Sequence, residues 1–114
     1  MKGTKNMTAK KVIAIDFDDT ITLPSPYPIT GALNPKAIKV IRKLQEKYTL
    51  ILWTCREGQY LDEAIQLLKT QNIVFDYVNE CPQGTRKVVA DYYIDDRMLG
   101  GTIDWDKILE LLEV

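Results

Sequence analysis

The chain of 114 residues contains no histidine. That absence removes Ser-His-Asp and Cys-His catalysis, His-ligated zinc and any imidazole general base. Acid-base chemistry then falls to carboxylates, lysine, tyrosine or cysteine. Cysteine is scarce as well. Cys55 and Cys81 stand alone and far apart, which excludes a disulfide framework or a four-thiolate zinc site and fits a reduced, cytosolic (cytoplasmic) protein. No segment approaches the roughly 18 apolar residues of a membrane helix, so no membrane association is expected. Lys2, Lys5, Lys10 and Lys11 have no apolar stretch behind them, unlike a secretory signal. Excess charge of one sign is also missing. Lys plus Arg gives 15 and Asp plus Glu gives 16, a formal charge of -1, so nothing supports a broad polyanion-binding surface or a nucleic-acid partner.

What is present is ordinary globular composition, 46% apolar and 27% charged, enough for one hydrophobic core. Residues 1–10 read as a flexible solvated terminus and residues 11–114 as a single domain. Lys11 to Ile15 is a continuous apolar run of the kind buried on both faces of a parallel sheet, and it ends in Asp16-Phe17-Asp18-Asp19-Thr20. Pro24, Pro26, Pro28 and Gly31 then make a stiff loop or small flap. Asn34 stands at an N-cap position with Pro35 at the first helical position, followed by Ala37, Ile38, Ile41, Leu44 and Tyr48 at helical spacing.

Thr49 to Trp53 is a second strand pattern, ending at Thr54, Cys55 and Arg56, with Gly58 at the turn. Leu61, Ala64, Ile65 and Leu68 mark a second helix that stops at Asn72, before a third strand over Ile73 to Val78. Thr85 to Ala90 is assigned one or two helical turns, and Tyr92 to Ile94 a fourth strand closed by Asp95 and Asp96. Gly100 and Gly101 form a loop. Asp104 caps a last helix carrying Trp105, Ile108, Leu109 and Leu112. Strands alternating with helices predict a doubly wound, three-layer α/β/α parallel sheet with right-handed crossovers. In such sheets ligands sit beyond the carboxyl ends of the strands, where Asp16, Asp18, Thr54, Asp95 and Asp96 all fall.

Five carboxylates (Asp16, Asp18, Asp19, Asp95 and Asp96) converging without a cation would repel one another. A divalent metal relieves the repulsion, and a small set of hard oxygen ligands with room for water and phosphate suits Mg²⁺. One carboxylate can then attack phosphorus while a second moves the proton, and Asp16 and Asp18 supply that pair. Thr54 offers a hydroxyl and Lys87 an ammonium to the transferred group, and the N–H groups that follow Asp16 and Thr54, including that of Cys55, complete a cradle. Arg56 and Arg97 either grip substrate anions or pair with Glu57 or Asp96. The Cys55 side chain reads as a small buried filler, since no base is at hand to make it a nucleophile. Trp53 and Trp105 are assigned to the core, and Tyr27 to the flap as a packed anchor or a ring for substrate to stack on.

These residues carry a resemblance. Asp-Phe-Asp-Asp-Thr after an apolar strand, Thr54 at the end of the second, Lys87 upstream and Asp95-Asp96 closing a later strand resemble motifs one to four of the haloacid dehalogenase-like (HAD) phosphohydrolases. The stretches "LILWTCREG", from Leu50 to Gly58, and "ADYYIDDR", from Ala90 to Arg97, are similar to those of small, capless bacterial members. The resemblance covers Val12 to about Leu112. It implies a Rossmann-like core without a cap domain, a nucleophilic Asp16 and an acid-base Asp18. It also implies Thr54 and Lys87 on phosphate, and Mg²⁺ on Asp16, the Asp18 carbonyl and Asp95, with Asp96 in direct or water-mediated contact. Position 19 is Asp where many members have Gly.

The expected activity is therefore Mg²⁺-dependent hydrolysis of a phosphate monoester through a phosphoaspartyl intermediate. Without a cap, substrate selection falls to the flap, to a second copy in a homo-oligomer, or to the substrate itself. Small phosphorylated molecules, and larger ones, are both open as substrates. Two other readings stand beside it. One is a receiver-type phosphoaccepting module, although the third strand leads to Asn79 and Glu80 instead of an aspartate. The other is a low-turnover scaffold that binds a phosphorylated partner.

Overall fold

The computed structural model describes residues 10–99 and 102–114; the expectations for residues 1–9 and for the Gly100-Gly101 loop lie outside them. Along the chain come β1 (Val12–Asp16), α1 (Pro35–Leu44), β2 (Thr49–Trp53), α2 (Gly58–Lys69), β3 (Tyr77–Val78), β4 (Tyr92–Ile94) and α3 (Trp105–Leu111). The four strands form one parallel sheet in the order β3-β2-β1-β4. This is a small Rossmann-like α/β fold.

Local chemistry sets the helix ends. The Asn34 side chain accepts from the Lys36 N–H at 3.0 Å, satisfying one free donor of the first turn of α1, and Pro35 follows at its start. Asp104 does the same for α3 through the Lys107 N–H at 3.2 Å. Asn72 takes φ 60, the left-handed stop expected after α2. Gly58 opens α2 with φ 53, and a side chain there would meet nothing nearby, so the backbone alone calls for glycine.

The sheet's two faces are covered unequally. Ile13, Ile15, Leu50 and Leu52 point to one face and share a core with Ile38 and Ile41 of α1, Ala64 and Leu68 of α2, and Trp105 of α3. Ala14 and Ile51 point to the other, where Cys81 is buried against them with Val88 and Ala90 alongside. All three helices therefore bury their apolar stripes on a single face. The second helical layer expected from the sequence is replaced by the irregular segment 79–91. Gly84 in the left-handed region (φ 69) and the Thr85 hydroxyl bonding the Lys87 carbonyl at 2.7 Å take the place of the helical turns assigned to Thr85–Ala90.

The third strand is shorter than its apolar pattern predicts. Asp76 donates its N–H to the Leu50 carbonyl at 2.9 Å while its carboxylate accepts from the Leu50 N–H at 2.8 Å. A side chain thus stands in for the ladder, and regular pairing starts only at Tyr77. Asp91 repeats the device on Val12, at 2.8 and 2.7 Å, just before β4. Among the described residues no helix is long and apolar enough to cross a membrane.

Candidate active site

Register decides which side chains meet. Asp16 pairs with Trp53 and Ile15 with Ile94, so the carboxyl ends of β1, β2 and β4 lie side by side. Asp16, Thr54 and Asp95 emerge there together. They line a cavity of about 540 Å³ with Asp18, Asp19, Cys55, Asp96, Arg97, Tyr27 and Trp53. Carboxylate oxygens of Asp16, Asp95 and Asp96 come within 4.8 Å of one another.

The turn after β1 positions the acids. The Phe17 carbonyl accepts from the N–H groups of Thr20, Ile21 and Thr22 at 3.3, 2.9 and 3.2 Å, winding the chain tightly back on itself. Within that turn Asp19 takes φ 61, a conformation natural to glycine and tolerated by aspartate, and its carboxylate accepts from the Ser25 N–H of the flap at 3.1 Å. Thr20 is buried and central: its hydroxyl donates to Asp16 at 2.9 Å and accepts from the Asp96 N–H at 3.0 Å. It joins the first strand's acid to the last strand's loop. In the sequence Thr20 stands only as the end of the acidic motif, and a hydroxyl four residues after Asp16 is the one signal of its role.

Burial is the main cause that raises the Asp16 carboxyl to about 7, assisted by Asp96 and Asp95 and opposed by the Thr20 hydrogen bond. Hard oxygen donors facing one another with uncompensated negative charge fit a small divalent cation. Ligands about 2.0–2.1 Å from a Mg²⁺ centre lie about 3–4 Å apart, within the spread seen here. The pH dependence follows with a definite sign. A carboxyl raised in the fold stabilises the native state below its ordinary value of 3.8 and loses that contribution as pH rises to about 7. Asp16→Asn is therefore expected to melt several degrees above the metal-free wild type at pH 8, with the gain vanishing near pH 4. Mg²⁺ should raise the wild-type transition and leave the variant's nearly unmoved. Thermal melts across this pH range check it, and a variant less stable than wild type throughout would contradict it.

Asp18 turns toward the protein. Its two oxygens accept from Arg56 Nε at 2.8 Å and Nη2 at 2.6 Å, a bidentate ion pair. Arg56 is fully buried, with its guanidinium 5.2 Å from the Phe17 ring centre and 5.6 Å from that of Tyr27. The Asp18 hydrogen bonds, ahead of the cost of burial, hold the Arg56 pKa above its ordinary value. Arg56 does not line the cavity, and its partners are Asp18 and, at 4.0 Å, Glu63 instead of Glu57 or Asp96. The Asp18 side chain is likewise turned from the acidic trio, leaving its carbonyl as the group it could offer a metal.

Thr54 stands where expected, its N–H held by the Asn79 side chain at 2.8 Å and its hydroxyl oxygen accepting from the Arg56 N–H at 3.1 Å. The hydroxyl hydrogen is left for the cavity. Asn79, at the end of β3, is a further positioning residue with no signature in the sequence. Cys55 is exposed on the cavity wall, not a buried filler, and Trp53 is 37% exposed there, not core. Lys87 is exposed in segment 79–91, which packs on the Ala14 and Ile51 face, and it does not line the cavity; Arg97 does.

Fold and site together define a Rossmann-like α/β protein with an acidic centre at its strand ends. The solved structure of a conserved protein coded by a locus from Bacteroides thetaiotaomicron is similar to it, with 43% identity and a TM-score of 0.82 over 91% of this chain and 90% of that one. The chain belongs to the same family as that conserved protein. No protein-family model and no curated protein matches the chain.

Proposed function

We propose that the protein is a Mg²⁺-dependent phosphatase that hydrolyses a phosphate monoester through a phosphoaspartyl intermediate on Asp16, as its resemblance to the HAD phosphohydrolases implies. The observation that carries this reading is the approach of the Asp16, Asp95 and Asp96 oxygens to within 4.8 Å on one cavity wall. Asp16, Asp95 and Asp96 would hold the ion with the Asp18 carbonyl. Bound there, Mg²⁺ supplies charge that offsets the phosphoryl oxygens.

The chain's own groups do the rest. An Asp16 oxygen attacks phosphorus as the P–O bond to the leaving group breaks, and water later cleaves the acyl phosphate to release inorganic phosphate. Each Asp18 oxygen gives one lone pair to Arg56 and keeps another, so Asp18 in its protonated form can give a proton to the leaving oxygen and, as the carboxylate, later take one from the attacking water, which restores it. The Thr54 hydroxyl donates to the phosphoryl group. The receiver-type alternative needs an acceptor aspartate after β3, and that place is taken by Asn79, engaged with the Thr54 N–H.

Phosphate release from p-nitrophenyl phosphate tests the proposal. Turnover is expected with Mg²⁺ and is expected to fall at least about a hundredfold in excess EDTA. Equal turnover with and without EDTA would remove the metal from the mechanism.

A further inference from the structure

Three residues of β2, Leu50, Ile51 and Leu52, are 0% exposed, yet Trp53 directly after them is 37% exposed and lines the acidic cavity. The ring is held in place. It packs at 5.5 Å on Tyr93, whose own hydroxyl is fixed by the Val88 carbonyl at 2.7 Å and the Ala90 N–H at 3.1 Å. Tyr27, 51% exposed, lines the same cavity from the flap and rests on the immobile Arg56 guanidinium. Two aromatic surfaces are thus presented on rigid supports beside the carboxylates.

The space exceeds what a phosphoryl group needs. At about 30 Å³ per water-sized group, phosphate and one ion fill on the order of 150 Å³, against about 540 Å³ for the cavity. The carboxylates around it have other partners: Asp18 holds Arg56, Asp19 holds the Ser25 N–H, and Asp16, Asp95 and Asp96 face one another. Beyond the carboxylates the polar lining is Thr54, Cys55 and Arg97, of which Thr54 is assigned to the phosphoryl group, whereas two aromatic rings are in place to stack on a flat group.

We propose that Trp53 and Tyr27 select phosphate monoesters whose leaving group carries a flat aromatic ring, nucleoside monophosphates above all. The inference rests on the phosphatase reading of the same cavity. Its test uses matched pairs: adenosine 5′-monophosphate against ribose 5-phosphate, and O-phosphotyrosine against O-phosphoserine. One stacked ring contributes roughly 5- to 150-fold in kcat/KM. The nucleotide pair is expected to show a ratio in that range, which should fall toward one in Trp53→Ala, drop by several-fold in Tyr27→Ala and be retained in Trp53→Phe. A high ratio in the phosphoamino-acid pair alone would overturn the assignment to nucleotides, and ratios near one in both pairs would overturn the stacking role while leaving a phosphatase.

If no ester is turned over, the phosphatase reading fails separately, and binding decides the stacking role. With Mg²⁺, adenosine 5′-monophosphate should quench Trp53 fluorescence and ribose 5-phosphate should not, the response vanishing in Trp53→Phe. No difference between the two ligands would overturn the inference.

Discussion

Asp16→Asn is expected to cut turnover of p-nitrophenyl phosphate by roughly 10³- to 10⁶-fold, the scale on which enzymes respond to loss of a nucleophile. The amide keeps the shape of the carboxylate and can still meet Thr20, so the fold should survive. What is lost is the oxygen that the proposed mechanism sets against phosphorus and one of the three carboxylates facing one another. Initial rates of purified protein in saturating Mg²⁺, with circular dichroism as a control on folding, measure the effect. Turnover within tenfold of wild type would move the nucleophile elsewhere and overturn the mechanism.

The largest expected effect on stability comes from Arg56. Truncating it to alanine leaves Asp18 without the two bonds at 2.8 and 2.6 Å and opens a void beside Phe17 and Tyr27. Removing one partner of a buried pair costs about 3–5 kcal/mol, a large share of the roughly 5–15 kcal/mol that holds a domain of this size. Urea denaturation should show a correspondingly lower midpoint. Lysine keeps the charge but not the planar fork, so Arg56→Lys should lie between alanine and wild type. An unchanged midpoint in Arg56→Ala would show that the pair is energetically idle.

The features legible in the sequence were those set by neighbours along the chain. Asn34 before Pro35, the apolar run ending at Asp16 and the Asp104 cap are local signals, and the structure repeats them within a residue or so. The convergence of Asp16 with Asp95 and Asp96 was legible for a related reason: the carboxyl ends of parallel strands share one side of the sheet. Pairings across the chain were not legible. Arg56 reaches a partner 38 residues away, and nothing beside it announces that an arginine will be buried. Trp53 has the composition of a core residue, and only the thin cover on its face of the sheet leaves it exposed. The Thr85–Ala90 assignment failed because hydrogen bonds from Thr85 and Tyr93 satisfy that backbone without a helix.

The pairing of β1 with β4 brings the earliest described strand beside the latest. The acids at their tips therefore meet only after most of the polypeptide has been threaded into place, since loop closure across the molecule must come first. A nascent or truncated chain that stops short of Asp95 would carry Asp16 without Asp95 and Asp96. The acidic centre is thus complete only once the chain extends past β4.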